Sequence, residues 1–401
     1  MLSRTRLSES PTRSISVIYP RRTMRKERGC DIEDPAPMTA KRAYGIWAGL
    51  AVIALFILGA SVCVGSVTIA PHTLWSALRD AVQIGHGGTM AGGAEAGGAI
   101  AVGDAASATV TAANAQTALA REIIFQLRLP RALAGFACGA LLSLAGALLQ
   151  VLLRNPLADP YVLGISGGSA VFALPAMWLM LPWWGVDGAA FGGAMASMAL
   201  MLALTRGDLW RAEPRDVSPR LLLTGAVLAA GWGALITLML SLAPDSRLRG
   251  MVFWLSGDLD GVERAWPAWI ALVVAVCVST PLAPRLNALL RGEALAQSVG
   301  IDVAPLRRRI YVIASLATAV AVTTAGTIGF VGLIVPHMLR LAFGNDQRML
   351  LPASVLAGGA LVAAADLAAR TIVAPTQLPV GVITALIGAP AFLYILLGKR
   401  R

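Results

Sequence analysis

The chain has 401 residues, 57% of them hydrophobic and 14% charged, with a formal net charge of +11. Soluble domains carry about 25% charged residues, so a soluble globule is excluded, as are a disordered chain and a collagen-like fibre. What is left is an integral membrane protein, in which excess arginine orients helices across the bilayer rather than gripping nucleic acid.

Residues 1–42 hold ten Lys/Arg against five Asp/Glu. They read as a basic tail, not a secretory signal, because the first apolar run starts too late and is too long. Met38 leads straight into that run, which also suits a start there. Ten spans are predicted: 43–66, 131–153, 160–182, 186–205, 221–243, 266–284, 308–326, 328–343, 351–374 and 378–398. A bilayer-crossing helix needs about 20 residues. Several spans contain Gly or Pro, which survive in lipid only where neighbours or a water-filled path satisfy the freed backbone groups. A packed all-α bundle around a pathway is therefore expected, helped by small residues such as those of Gly188–Ala199.

After the first span, Pro71–Arg79 is expected to form a short interfacial helix around Trp75. Residues 84–117, rich in Gly and Ala, read as a flexible external insertion. With the N-terminus inside, the inner segments hold 25 Lys/Arg and the outer ones eight. Both termini are thus expected in the cytoplasm. The four cysteines form no CxxC pair, and no metal site is expected.

Four segments carry the mechanism. In Arg154–Ser169, Asn155 precedes Pro156, and Pro160 follows four residues later, so a continuous helix is forbidden. Gly164, Gly167 and Gly168 then permit close backbone approach. The GxSGG here is not a nucleophile elbow, because no strand precedes it and no His/Asp partner is evident. In the predicted cytoplasmic loop Pro284–Pro305, glycines Gly292 and Gly300 bracket a short helix with Glu293 in its first turn. Two spans would hold it as a rigid knob for a partner to push. Near the inner end of the eighth span, Pro336 and His337 are expected to be structural, with the imidazole bonding a carbonyl that Pro336 frees. Asp366 and Arg370 form an i,i+4 pair near an outer membrane boundary. Alone, that pair and His337 are weak support for a proton-coupled secondary carrier, and the broken helices argue against an inert scaffold. The chain has no GxxxxGK[ST] loop, so any ATPase must be a separate subunit.

At these residues the sequence resembles the FecCD family, permease subunits of type II ABC importers for iron–siderophores, haem and vitamin B12. The matching blocks are Arg128–Arg131, Gly146–Ser169, Arg220–Gly225, Phe253–Leu259, Arg291–Gly300, Gly329–Arg340, Asp366–Arg370 and Leu378–Leu397. The resemblance implies a ten-helix permease domain over 43–398, paired with a second copy in the inner membrane. Two ATP-binding subunits, which bind ATP and Mg, would dock below and a periplasmic substrate-binding protein above, with no cofactor in this chain. It further implies that 293–300 is the coupling helix, and that Arg291, Gly292, Glu293, Ala294, Leu295, Ala296, Gln297, Ser298, Val299 and Gly300 couple the chain to the ATPase. Arg128, Arg131 and Arg370 would be exposed arginines docking the binding protein, as in the vitamin B12 importer. Ser218 and Pro219 stand where that relative has two small hydroxyl residues as its inner gate, so the proline departs from the pattern. In the next span, Thr224 and Trp232 are candidates for lining the path. Ferric siderophore is the leading substrate on family breadth, followed by cobalamin and haem.

Overall fold

The computed structural model describes residues 40–64, 122–205 and 217–398, all in helices, turns and short connections with no strand among them. The tail, the helix expected at 71–79 and the insertion at 84–117 lie outside the described residues. The α-helices are α1 Ala40–Cys63, α2 Leu129–Leu152, α3 Ile165–Trp178, α4 Trp183–Leu204, α5 Val217–Leu242, α6 Asp245–Leu255 and α7 Trp266–Ser279. They continue as α8 Ala283–Leu290, α9 Glu293–Ser298, α10 Val303–Ala325, α11 Val331–Phe343, α12 Gln347–Thr371 and α13 Val380–Gly398. A π-helical turn, Ile123–Arg128, leads into α2, and a 3₁₀ turn, Pro160–Leu163, leads into α3.

Each predicted span has a helix, but not each has its predicted length. Six helical stretches among the described residues are long and apolar enough to cross a bilayer, while Ile165–Trp178, Val331–Phe343 and Val380–Ile395 are apolar but shorter. The expected span 160–182 shrinks to α3 for two reasons. Gly164 turns left-handed at φ +74° and breaks the helix from the 3₁₀ turn, and Pro182 already caps α4 in an extended conformation. Likewise, Phe330 sits at φ +69°, so α11 cannot begin at 328.

The centre of the bundle is α2. The best apolar window of Ile123–Leu152 is 94% buried, although its mean hydropathy of 2.0 would suit lipid. Protein surrounds it instead: α12, α10, α11 and α7 all pack against it. Glycine explains how so many helices fit. A Cβ on Gly139 would stand 2.3 Å from the carbonyl oxygen of Gly358 on α12. One on Gly146 would stand 1.9 Å from that of Gly332 on α11. Backbone therefore meets backbone, the arrangement small residues permit where lipid removes the hydrophobic drive for helix association. Polar side chains tie the outer helices on. The Trp47 indole of α1 donates to Met349 O of α12 at 3.1 Å. The Trp269 indole of α7 donates to Leu133 O at 3.1 Å and stacks on Phe136 with centroids 5.6 Å apart. A second group, α3, α4 and α5, packs together beside this one.

Candidate functional site

Three constellations gather the residues singled out in the sequence. The first is the loop helix. Gly292, at φ +125°, and Gly300, at φ +81°, bracket α9 as expected. At its end Ile301 N–H bonds Ala296 O at 2.9 Å and Gly300 N–H bonds Gln297 O at 2.9 Å, the paired closure of a Schellman motif that needs a left-handed residue at Gly300. One side of the helix faces the bundle and the other faces out. Ala296 is buried, Ala294 and Gln297 are exposed, and Leu295 and Val299 present 45% and 62% of their surfaces to solvent.

Glu293 is not a solvated first-turn acid. It is 8% exposed, ion-paired with Arg307 of α10 and 3.7 Å from Arg154, just beyond α2. A buried carboxylate is tolerable only with such partners. Arg154 itself is held at φ +46°. On the other side, Asn287 of α8 donates to Asp346 Oδ1 at 2.7 Å and accepts from Gln347 N at 2.9 Å. The loop is thus fastened to α2, α10 and α12 together, with Arg291 and Ser298 at the corners of α9.

The second constellation is the broken segment after α2. Asn155 Oδ1 accepts from Leu157 N at 2.9 Å, and Asp159 Oδ1 caps the 3₁₀ turn by accepting from Tyr161 N at 2.8 Å. The Tyr161 hydroxyl donates to Ile328 O at 3.0 Å and accepts from Ile328 N at 2.8 Å. Two non-helical segments therefore satisfy one another inside the bundle, as membrane proteins require. Pro156 lies in the turn, and Pro160 packs on Gly332, where a Cβ would meet its ring at 2.6 Å. The expected close approaches occur at Gly167, against Trp232, and at Gly168, against Ser197. Trp232 in turn donates to Ser197 Oγ at 3.1 Å.

Beside Pro336, the carbonyls of the preceding turn of α11 are met by Gln150 of α2. Its Nε2 lies 3.0 Å from Leu333 O and 3.4 Å from Gly332 O, because α2 carries it past that turn of α11. His337 is buried, with its ring 6.4 Å from that of Phe392. Nothing in the sequence pairs residues 150 and 332. Ser218 and Pro219 fall in the first turn of α5, and their side chains lie outside the described residues. Thr224 and Trp232 are half-buried on α5.

The third constellation is at the opposite end of α2. The expected pair forms: Arg370 Nε is 3.0 Å from Asp366 Oδ2. Asp366 is fully buried and also accepts from Arg131 Nε at 2.9 Å. Arg131 further reaches Asp260 Oδ1 at 3.1 Å and Gln377 Oε1 at 2.8 Å. Arg370 donates to Ser61 O and Oγ at 3.0 and 2.7 Å. Arg128 donates to Val62 O and Cys63 O at 3.1 and 3.0 Å, closing the last turn of α1. The expectation of three exposed arginines is corrected here. They are 6%, 7% and 8% exposed, because the last carbonyls of α1, the carboxylates of Asp366 and Asp260 and the amide of Gln377 hold them. The accessible charge is Asp260, 67% exposed at the side chain. In the same loop, burial pushes the Asp258 carboxyl above the ordinary carboxylate range, and the nearby charge of Arg131 partly opposes this.

The chain is similar to known proteins. Over 363 residues the chain is 38% identical to the cobalamin import system permease protein BtuC of Halobacterium salinarum, covering 88% of this chain and 95% of that one. It is 40% identical over 286 residues to the vitamin B12 import system permease protein BtuC of Vibrio cholerae, covering 71% and 85%. A solved chain, described as an inward-facing conformation of a proposed metal-chelate type ABC transporter, superposes with a TM-score of 0.71 at 26% identity, covering 89% and 99%. Residues 51–398 match the FecCD transport family as a whole. With its buried α2, its broken helices and its loop helix, the chain belongs to the FecCD family of ABC importer permeases.

Proposed function

We propose that this chain is the membrane-spanning half of an ATP-driven importer that carries a bulky metal chelate inward across the cytoplasmic membrane by alternating access. The observation that carries the reading is α9: a rigid two-turn helix, fastened to three long helices, with Leu295 and Val299 turned outward. Such a part suits a cleft in a separate nucleotide-hydrolysing subunit, whose closure would push it. Residues 291–300 act as the coupling segment. The broken stretch from Asn155 to Gly168, with Pro336 on α11, gives the helices short independent pieces that can shift. Ser218 and Pro219 stand at the inner gate. The functional unit is two copies of this chain, two ATP-binding subunits that bind ATP and Mg, and an extracytoplasmic binding protein. Both termini are cytoplasmic. Arg128, Arg131 and Arg370 serve docking from beneath the surface, by ordering the loop that carries Asp260.

For the cargo, the names of the relatives favour cobalamin, reversing the order expected from family breadth. Ferric siderophore is the second reading, which the metal-chelate description of the solved relative supports. The test is cysteine cross-linking. Leu295→Cys or Val299→Cys should form a cross-link to a cysteine in the partner ATPase cleft whose yield changes on adding ATP. Binding of cobalamin and of ferric siderophores to the cognate binding protein then separates the two cargoes. An α9 that never cross-links to the ATPase would refute the assignment.

A further inference from the structure

At the end of α10 away from α9, a cavity of about 980 Å³ opens between α4, α6, α7 and the C-terminal turns of α10. Its lining is mixed in an unusual way. Arg249 and Arg264 line it, and so do four carboxylates, Asp187, Asp258, Asp260 and Glu263. Asp260 is taken by Arg131, and Asp258 accepts from Asp260 N–H at 2.9 Å, whereas Arg249, Arg264, Asp187 and Glu263 make no ion pair or side-chain hydrogen bond with another described residue. The arginines lie instead against aromatic faces: Arg249 is 5.5 Å from the Phe253 ring centroid and Arg264 is 5.1 Å from that of Trp183. Charges of both signs thus border one space without neutralising each other.

The wall below is apolar and exposed. Trp183 is 48% and Trp266 59% exposed at the mouth, the position such rings take at a membrane–water boundary. From Trp266 the face of α7 runs on through Ile270, Val273, Val274 and Val278, all exposed, on successive turns of one stripe. A ligand suited to this space carries an anion and a cation on one end and a long hydrocarbon on the other.

We propose that this cavity is a binding site for a phospholipid whose headgroup bears a primary ammonium. Arg249 and Arg264 take the phosphate by charge-assisted hydrogen bonds. Asp187 and Glu263 take the ammonium. An acyl chain lies along the α7 stripe. The preference is chemical: a primary ammonium has three N–H donors for two carboxylates, whereas a quaternary choline has none and a glycerol headgroup has no charge for them. The inference needs only that the chain sits in a bilayer, so it stands or falls separately from the transport reading.

The test is native mass spectrometry of the full-length chain with its partner subunits, released from nanodiscs holding equal amounts of phosphatidylethanolamine, phosphatidylcholine and phosphatidylglycerol. Phosphatidylethanolamine should stay bound preferentially, about tenfold over either of the others, in line with the loss of charged hydrogen bonds. The pair Arg249→Gln/Arg264→Gln and the pair Asp187→Asn/Glu263→Gln should each abolish that preference with the subunit stoichiometry unchanged. If a pair fails to fold, the exposed single change Glu263→Gln reads the same preference. Equal retention of the three lipids, or preferential retention of phosphatidylglycerol lost only with the arginines, would overturn the proposal. So would variants that split the assembly while leaving its lipids unchanged, which would mark the cavity as a protein contact.

Discussion

Glu293 illustrates how much a single residue can change meaning between sequence and structure. In the sequence it is an acid in the first turn of a loop helix, where an exposed carboxylate would complement the helix dipole. In the structure it is buried between Arg307 and Arg154, residues 14 positions after it and 139 before it. No local pattern reports such a contact. Breaking a buried pair from one side costs about 3–5 kcal/mol, so Glu293→Lys and Arg307→Glu should each detach α9 and lower ATP-dependent uptake more than tenfold. The double exchange should recover much of it, since the pair is restored with its signs reversed. Uptake in vesicles, with ATPase rate measured alongside, checks both. The cluster at the other end follows the same logic. The link from Asp366 to Arg370 is legible as an i,i+4 spacing, but its second arginine, Arg131, is 235 residues away. Asp366→Asn would leave buried Arg370 without a carboxylate and Arg131 with only the exposed Asp260, a loss of about 3–5 kcal/mol in the stability of the detergent-solubilised chain. A thermal melt should record a clear drop, and an unchanged midpoint would mean that the arginines find other partners.

At the scale of elements, the sequence is most informative where proline and glycine interrupt it. Pro156 and Pro160 end α2 and delay α3, and Gly292 and Gly300 delimit α9. Those are local steric rules, readable from one chain. What is not readable is which helix receives the freed backbone groups: Gln150 reaching α11 and Tyr161 reaching Ile328 are tertiary events. Helix α6, at Asp245–Leu255, is not legible as a helix in the sequence, because Asp245, Arg247 and Arg249 crowd its first half and only its tail matches a family block. Packing of α2 yields a sharper prediction. Gly146→Ala puts a methyl where Gly332 backbone already stands, and overpacking costs about 1–3 kcal/mol or more. Its melting midpoint in detergent should fall well below that of Gly49→Ala, a helix position with no atom within 4 Å of an added Cβ. Equal midpoints would mean that α2 and α11 can separate without cost.

On the scale of the molecule, composition and the arginine asymmetry point to a multi-spanning membrane protein. They cannot reveal that α2 is enclosed, since its hydropathy is that of a lipid-facing span. Arg128, Arg131 and Arg370, proposed to serve docking, show the same limit: their blocks are recognisable, but burial is a property of the assembled helices. Because they are buried, Arg131→Gln should slow association with the binding protein by disordering the Asp260 loop, and the effect should persist in high salt. Surface charges acting by steering would lose their effect there, so stopped-flow association at low and high ionic strength distinguishes the two. The central claim is that this chain moves only when another protein's nucleotide cycle drives it. The most direct measurement reconstitutes it in proteoliposomes, alone and with its ATPase and binding protein, and follows chelate accumulation with and without ATP. Accumulation only in the complete, ATP-supplied system is predicted, whereas accumulation by the chain alone under a proton gradient would contradict the account.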